Sequence, residues 1–137
     1  MPTVELYGDQ TLDVDSDDYV ARSYDPESGD EVEAVIEGLD DVVLECDEVD
    51  LVLDYPFEQE YRAQLTGEIT LRQIIDAIRR GFREMYRGAS HAPIAGLPGN
   101  EDVKGSYGQA YHGIHDLVIE GILFHEEEGL IEVLIGS

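Results

Sequence analysis

Four histidines offer the first candidate chemistry. His112 and His115 stand three residues apart, and Asp116 follows directly. On a helix, groups at i and i+3 share a face and could share a metal ion. Glu120 lies one turn beyond Asp116, so a site of two histidines and one carboxylate is conceivable. The set lacks the His-Glu-x-x-His order of zinc proteases and has no Cys-x-x-Cys partner. The competing reading has His112 and His115 capping a helix start and its neighbouring loop. A small metal-dependent enzyme using His112, His115 and Asp116 is therefore carried as an alternative only.

Other reactive groups carry less. Ser90 and His91 are adjacent in sequence, which does not aim a base at its neighbour, and no Gly-x-Ser-x-Gly elbow exists. Cys46 sits in the apolar run VVLEC, where a thiolate is disfavoured and a buried thiol is expected. Asp13, Asp15 and Asp17 have the spacing of the first ligands of a calcium loop. The sixth position is Asp18 rather than Gly, and the twelfth is Tyr24 rather than Glu, so a solvated acidic turn is expected. Gly105-Ser106-Tyr107-Gly108 matches no phosphate-binding loop. Carboxylates are so numerous that no pair stands out, and no cofactor is implied.

The arginines are more informative. Arg72, Arg79, Arg80, Arg83 and Arg87 are five of the 8 Lys+Arg in the chain. They fall in one stretch, Thr70–Arg87, that carries a net +3 within a chain of net −24. Leu71, Ile74, Ile75, Ile78, Phe82, Met85 and Tyr86 recur there at three- and four-residue steps, the period of a helix with one buried face. The arginines and Asp76 fall on the other face. Thr70 and Gln73 have capping-box spacing, Gly88 is placed to stop the helix, and Gly81 inside it would admit a close neighbour.

Two readings of the stripe follow. The arginines could pair with carboxylates of their own chain, such as Asp76 with Arg80 and Arg80 with Glu84. Alternatively, they present a surface to an acidic protein partner, including another copy of this chain. Tyr107 and Tyr111, in or near a loop expected to cover the end of the helix with Ile94 and Leu97, would join that surface, since Tyr and Arg are enriched at protein interfaces. Nucleic acid is disfavoured as a partner, because the surrounding field repels phosphates.

Composition sets the frame. The chain has 137 residues, 32 Asp+Glu and 42% hydrophobic residues, enough for one folded domain. There is one lysine against seven arginines. Such acidic, lysine-poor composition resembles that of proteins from salt-loving organisms or their viruses. Self-repulsion of the carboxylates is then relieved by molar salt, which shortens the screening length to roughly 3 Å. The rival is acidity with a purpose, in an inhibitor that mimics nucleic acid or neutralises a basic toxin. No apolar run reaches membrane-spanning length, and MPTVELYGDQ has no secretory-signal pattern. A cytoplasmic, high-salt location, or a place in a virion, is expected.

Thr3–Tyr7 and Leu12–Val14 suggest short strands. Tyr19–Tyr24 and Glu31–Glu37 form a hairpin across a loop of turn formers. Val42–Cys46, Val49–Tyr55 and the alternating run Phe57–Leu65 are further strands, with Thr66-Gly67 turning into the helix. Residues 89–108, rich in Pro and Gly, read as a long loop. Tyr111, Ile114, Leu117 and Val118 have helical spacing, with Gly121 closing a short second helix, although Leu117–Phe124 would also read as a strand. Ile122–His125 and Leu130–Ile135 form a last hairpin. The expected fold class is α+β in one domain: an antiparallel sheet (1–66), a long central helix (70–87), a loop (89–108), then a short helix and hairpin (109–137). The expected function is non-enzymatic protein–protein interaction or assembly.

Overall fold

Thr70 ends a strand and starts the helix, and the layers of the fold meet at that junction. The computed structural model describes residues 3–4, 10–24, 27–94, 96 and 100–136. The strands are β1 (Thr3–Val4), β2 (Leu12–Asp13), β3 (Val20–Tyr24), β4 (Glu31–Val35), β5 (Val42–Leu53), β6 (Tyr61–Thr70), β7 (Ser90–Pro93), β8 (Asn100–Gly105), β9 (Gly108–His112), β10 (Val118–His125) and β11 (Leu130–Gly136). The helix α1 spans Leu71–Tyr86.

The helix start is fixed by reciprocal bonds. Gln73 N donates to Thr70 Oγ1 at 3.2 Å, and Thr70 N donates to Gln73 Oε1 at 2.8 Å. This satisfies two backbone donors that the helix itself cannot. At the other end Gly88 takes φ +71°, the left-handed conformation that favours glycine.

The main sheet runs β1-β10-β11-β5-β6, with β2 also paired to β10. It buries one face under α1. Val49, Leu51, Leu53, Ile69, Ile119, Ile131 and Val133 meet Ile74, Ile75, Ile78, Phe82 and Met85 in one core. In β5 the period-two alternation puts Val49, Leu51 and Leu53 inside while Asp50 and Val52 face outward. Gly81 is the close approach between layers. A methyl group there would lie 2.5 Å from Leu53 Cδ1 and 2.8 Å from Tyr61 Cε1.

The expected antiparallel sheet and second helix are both overturned. Among the described residues the protein is mostly β, with a single α-helix and a curled mixed sheet. β11 pairs with β5 in parallel, Leu130 opposite Asp50 and Ile131 opposite Leu51, so the last strand lies beside one formed some eighty residues earlier. Alternation tells which face of a strand is buried and not which strand lies next to it. The second helix is absent from 109–121. In its place stand β9, a single 3₁₀ turn at Ile114–Asp116, and β10. Val118, Ile119, Ile122 and Phe124 are β-branched or aromatic and suit a pleated surface. Gly121, expected to close a helix, lies at a register shift in β10, where the strand meets Leu134 of β11.

The stretch expected as a loop at 89–108 carries β7 and β8, which join β9 in a separate three-stranded sheet. Val42–Leu53 is one strand with register shifts between Val42 and Leu44 and between Cys46 and Val49, the latter beginning where Cys46 lies opposite Gly67 at φ +79°. Strand β6 begins at Tyr61, and Phe57 packs inward from a turn. Cys46 is half-buried. Of the expected strand Thr3–Tyr7, residues 5–7 lie outside the described residues, as do residues 25–26 of the turn between β3 and β4.

Candidate functional site: an arginine groove on the helix

The outer face of α1 does not stay open along its length. The acidic turn Asp13–Tyr19 folds across it, held by Val14 N donating to the Leu117 carbonyl at 3.1 Å. Between turn and helix runs a groove of about 520 Å³ lined by Ser16, Asp17, Tyr19, Asp76, Arg79, Arg80, Arg83, Glu84 and Arg87.

The five arginines of the stripe divide sharply. Arg79 is buried, at 3% exposure. Its Nε and Nη2 donate to the Asp13 carbonyl at 3.2 and 2.9 Å, and its Nη1 donates to the Asp18 carbonyl. Burial pushes this guanidinium below its ordinary pKa, and the charges of Asp18, Tyr19 and Asp76 oppose that push. Arg79 was expected on the solvent face. It lies four residues after Ile75 and three before Phe82, on the border of the apolar stripe, so its stem follows the buried side.

Arg72 lies outside the groove. It forms a fork on Asp40, Nε to Oδ1 at 2.9 Å and Nη2 to Oδ2 at 3.3 Å, and stacks over Tyr19 at 4.7 Å from the ring centre. Hydrogen bonds from Arg72 hold the Asp40 carboxyl below its ordinary range, and Arg72 is raised in return. The Tyr19 hydroxyl donates to Asp76 Oδ1 at 2.6 Å, and this bond lifts the Tyr19 pKa above 10.0.

Arg83 is exposed and donates from Nη2 to the Ser16 carbonyl at 3.1 Å and to Asp17 Oδ1 at 3.0 Å. Arg87 has one distant carboxylate, Glu84 at 3.7 Å, with 79% of its side chain exposed. Arg80 is exposed and has no hydrogen-bond or ion-pair partner among the described residues. The expected pairs Asp76–Arg80 and Arg80–Glu84 therefore do not form. Asp76 is committed to Tyr19.

Tyr107 and Tyr111 are not part of this groove. Tyr107 is half-buried among rings, 6.5 Å from Phe57 and 6.2 Å from Tyr61. Phe57 in turn stacks edge-on against Tyr86 at 4.7 Å, on the helix face that points into the protein. Tyr111 is 56% exposed on β9. Of the residues expected to share one surface, Arg79, Arg80, Arg83 and Arg87 line the groove, while Arg72, Tyr107 and Tyr111 do not.

The histidine set is also not assembled into a cage. His112 Nδ1 lies 3.8 Å from Asp116 Oδ2, while His115 is exposed. Among the described residues no group of three or more His, Cys, Asp or Glu side chains is placed to hold a metal ion. The His112 carbonyl accepts from the Tyr86 hydroxyl at 2.7 Å, tying β9 to the helix end.

Sequence reasoning missed Ser16, Asp17 and Tyr19 as groove residues. Their bonds to the helix span 57 to 67 positions of chain, and no local pattern encodes them. Among the described residues no helix is long and apolar enough to cross a membrane. No protein-family model, curated protein or solved structure matches this chain.

Proposed function

We propose that this chain is a non-enzymatic interaction or assembly protein adapted to high salt, and that the groove bearing Arg80, Arg83 and Arg87 is its contact surface for an acidic protein partner. One observation carries the reading. The chain has 32 carboxylates against 8 Lys+Arg, so a cation has many carboxylates within its own molecule to choose from. Arg80 nevertheless has no partner among the described residues, and Arg87 has only the 3.7 Å contact with Glu84.

A guanidinium presents a rigid fork of donors that fits a carboxylate with two parallel bonds. At an interface, truncating one member of a desolvated pair costs about 2–5 kcal/mol of binding. A nucleic-acid duplex carries a charge about every 1.7 Å and would meet the surrounding carboxylates along its whole length, whereas a protein partner needs to bring carboxylates only to the groove. The high acidity itself is the expected surface of a protein that works in molar salt, inside a cell or as part of a virion.

The test is retention of a partner, or of the oligomer, by wild type and by the Arg80→Gln, Arg87→Gln variant, in about 3 M KCl. The reading expects a variant with unchanged melting temperature that loses the association. A variant that associates as well as wild type removes the groove from the contact.

A further inference from the structure

A second region of the molecule leaves a whole strand in solvent. Strands β3 and β4 form a two-stranded sheet of their own, apart from the main sheet. All five residues of β4 are exposed, with Val35 at 71% and Val32 at 44%. The base of this arm is firmly seated. Ala21 and Ile36 are buried, Ile36 N donates to the Tyr19 carbonyl at 2.9 Å, and Thr11 and Arg22 exchange backbone bonds at 2.8 Å. The arm is thus fixed at its root and along β3, while both faces of its outer strand β4 lie in solvent. Among the described residues nothing pairs with the free edge of β4.

Its charge is the complement of the groove. From Tyr19 to Glu37 the chain carries six carboxylates against the single cation Arg22. Glu31 and Glu33 face Arg22 only at 3.6 and 3.4 Å, longer than a good charged hydrogen bond, and Arg22 is already held by Asp13 at 2.8 Å. The spacing also matches. Carboxylates two apart on a strand are ~6.6 Å apart, and arginines four apart on a helix, such as Arg83 and Arg87, are separated by a rise of ~6 Å.

We propose that the occupant of the arginine groove is the β3–β4 arm of a second copy of this chain. This rests on the groove being a protein contact surface and names the partner. Glu31 and Glu33 of one copy reach Arg83, Arg87 and the unpartnered Arg80 of the other. Both the arm and the groove are present in each copy, so the contact can be made twice in a closed pair or once per link in an open chain.

Charge reversal tests this without needing to know the stoichiometry. The groove variant is Arg80→Glu, Arg87→Glu, two exposed residues whose side chains do not hold the fold. The arm variant is Glu31→Lys, Glu33→Lys, with Glu31→Gln, Glu33→Gln as a milder second version in case the lysines disturb the hairpin beside Arg22. Masses are read by light scattering at matched concentration in about 3 M KCl, with circular dichroism confirming folding. The inference expects an associating wild type, a monomer for each reversed variant, at least a tenfold weaker association for the glutamine version, and an associated species when the two reversed variants are mixed. In that mixture the lysine arm meets the glutamate groove, and the native arm meets the native groove.

A wild type that stays monomeric overturns the inference. The groove as a contact surface then stands or falls on whether a different partner is lost from the groove variant. An oligomer broken by the groove variant but untouched by both arm variants overturns the inference and keeps the groove. An oligomer indifferent to both overturns both. Reversed variants that are monomeric alone and remain so when mixed also overturn the pairing.

Discussion

Arg79 and Arg80 are neighbours in sequence and opposite in fate. Arg79 is sealed at 3% exposure and gives three hydrogen bonds to backbone carbonyls of the turn Asp13–Tyr19. Arg80, about 100° further round the helix, stands in solvent with no partner among the described residues. The difference teaches that a stripe of like residues on one helix is not one feature. Its border with the apolar face is structural, and its outer line is available for other work. Arg72 and Arg83 lie between these extremes, each tied to a carboxylate that is itself exposed.

The sharpest way to break the comparison is at its buried end. Arg79→Ala would leave the Asp13 and Asp18 carbonyls without this donor and remove the guanidinium that lies 5.5 Å from the Tyr19 ring centre. Losing charged hydrogen bonds and leaving buried acceptors unpaired predicts a destabilisation of about 2–4 kcal/mol in chemical denaturation. A loss under about 0.5 kcal/mol, the size of an ordinary surface change, would remove the distinction between the two arginines.

Salt should act on the whole surface and little on the buried anchor. Dilution from about 3 M to about 0.1 M KCl is expected to lower the melting temperature by roughly 10 °C or more, through unscreened repulsion among the carboxylates. The destabilisation caused by Arg79→Ala should be nearly the same at both salts, because its bonds are desolvated. An unchanged melting temperature would count against adaptation to high salt.

Gly81→Ala probes the layer under the stripe. Alanine favours the helix by about 1 kcal/mol, but a methyl group pressed on Leu53 and Tyr61 costs about 1–3 kcal/mol through overpacking. The expected net effect is a loss of roughly 1 kcal/mol, and a gain in stability would mean that the two layers are not in close contact there.

Tyr19→Phe is a smaller change with a pH signature. The hydrogen bond to Asp76 favours the protonated phenol in the folded state, so its folded pKa is raised. Its contribution is fully present below 10.0 and is lost as pH rises through the folded value. Wild type should therefore lose stability relative to Tyr19→Phe above pH 10, while the two differ by about 1 kcal/mol near neutrality. Parallel curves at all pH values would mean that the bond to Asp76 is not made. The smallest effect belongs to Arg80→Gln, which should leave folding stability within about 0.5 kcal/mol of wild type.

The helix was legible because its information is local. Apolar residues at three- and four-residue steps, Thr70 with Gln73 at its start and Gly88 after its end lie within nineteen consecutive positions. The sheet was not legible in the same way. Nothing in Leu130–Gly136 says that its neighbour is β5 or that the pairing is parallel, because that contact is set by the whole path of the chain. The second helix failed at a place where Tyr111, Ile114, Leu117 and Val118 fit a helical period while the residues around them prefer strands. In the groove, sequence showed the charge of the arginines but not which of them the turn Asp13–Tyr19 would claim. Only position 79, at the edge of the apolar stripe, carried a hint of burial.

The central claim is that Arg80 and Arg87 are held for another chain while Arg79 serves this one. Residue-by-residue labelling of arginines with a dicarbonyl reagent, read by mass spectrometry on unaltered protein in high salt, tests it most directly. The account predicts that Arg79 resists labelling both dilute and concentrated. Arg80 and Arg87 should react readily when the protein is dilute and become protected when it associates. Arg80 labelling that stays fast under every associating condition, with a recovered partner or with the protein at high concentration, would contradict it.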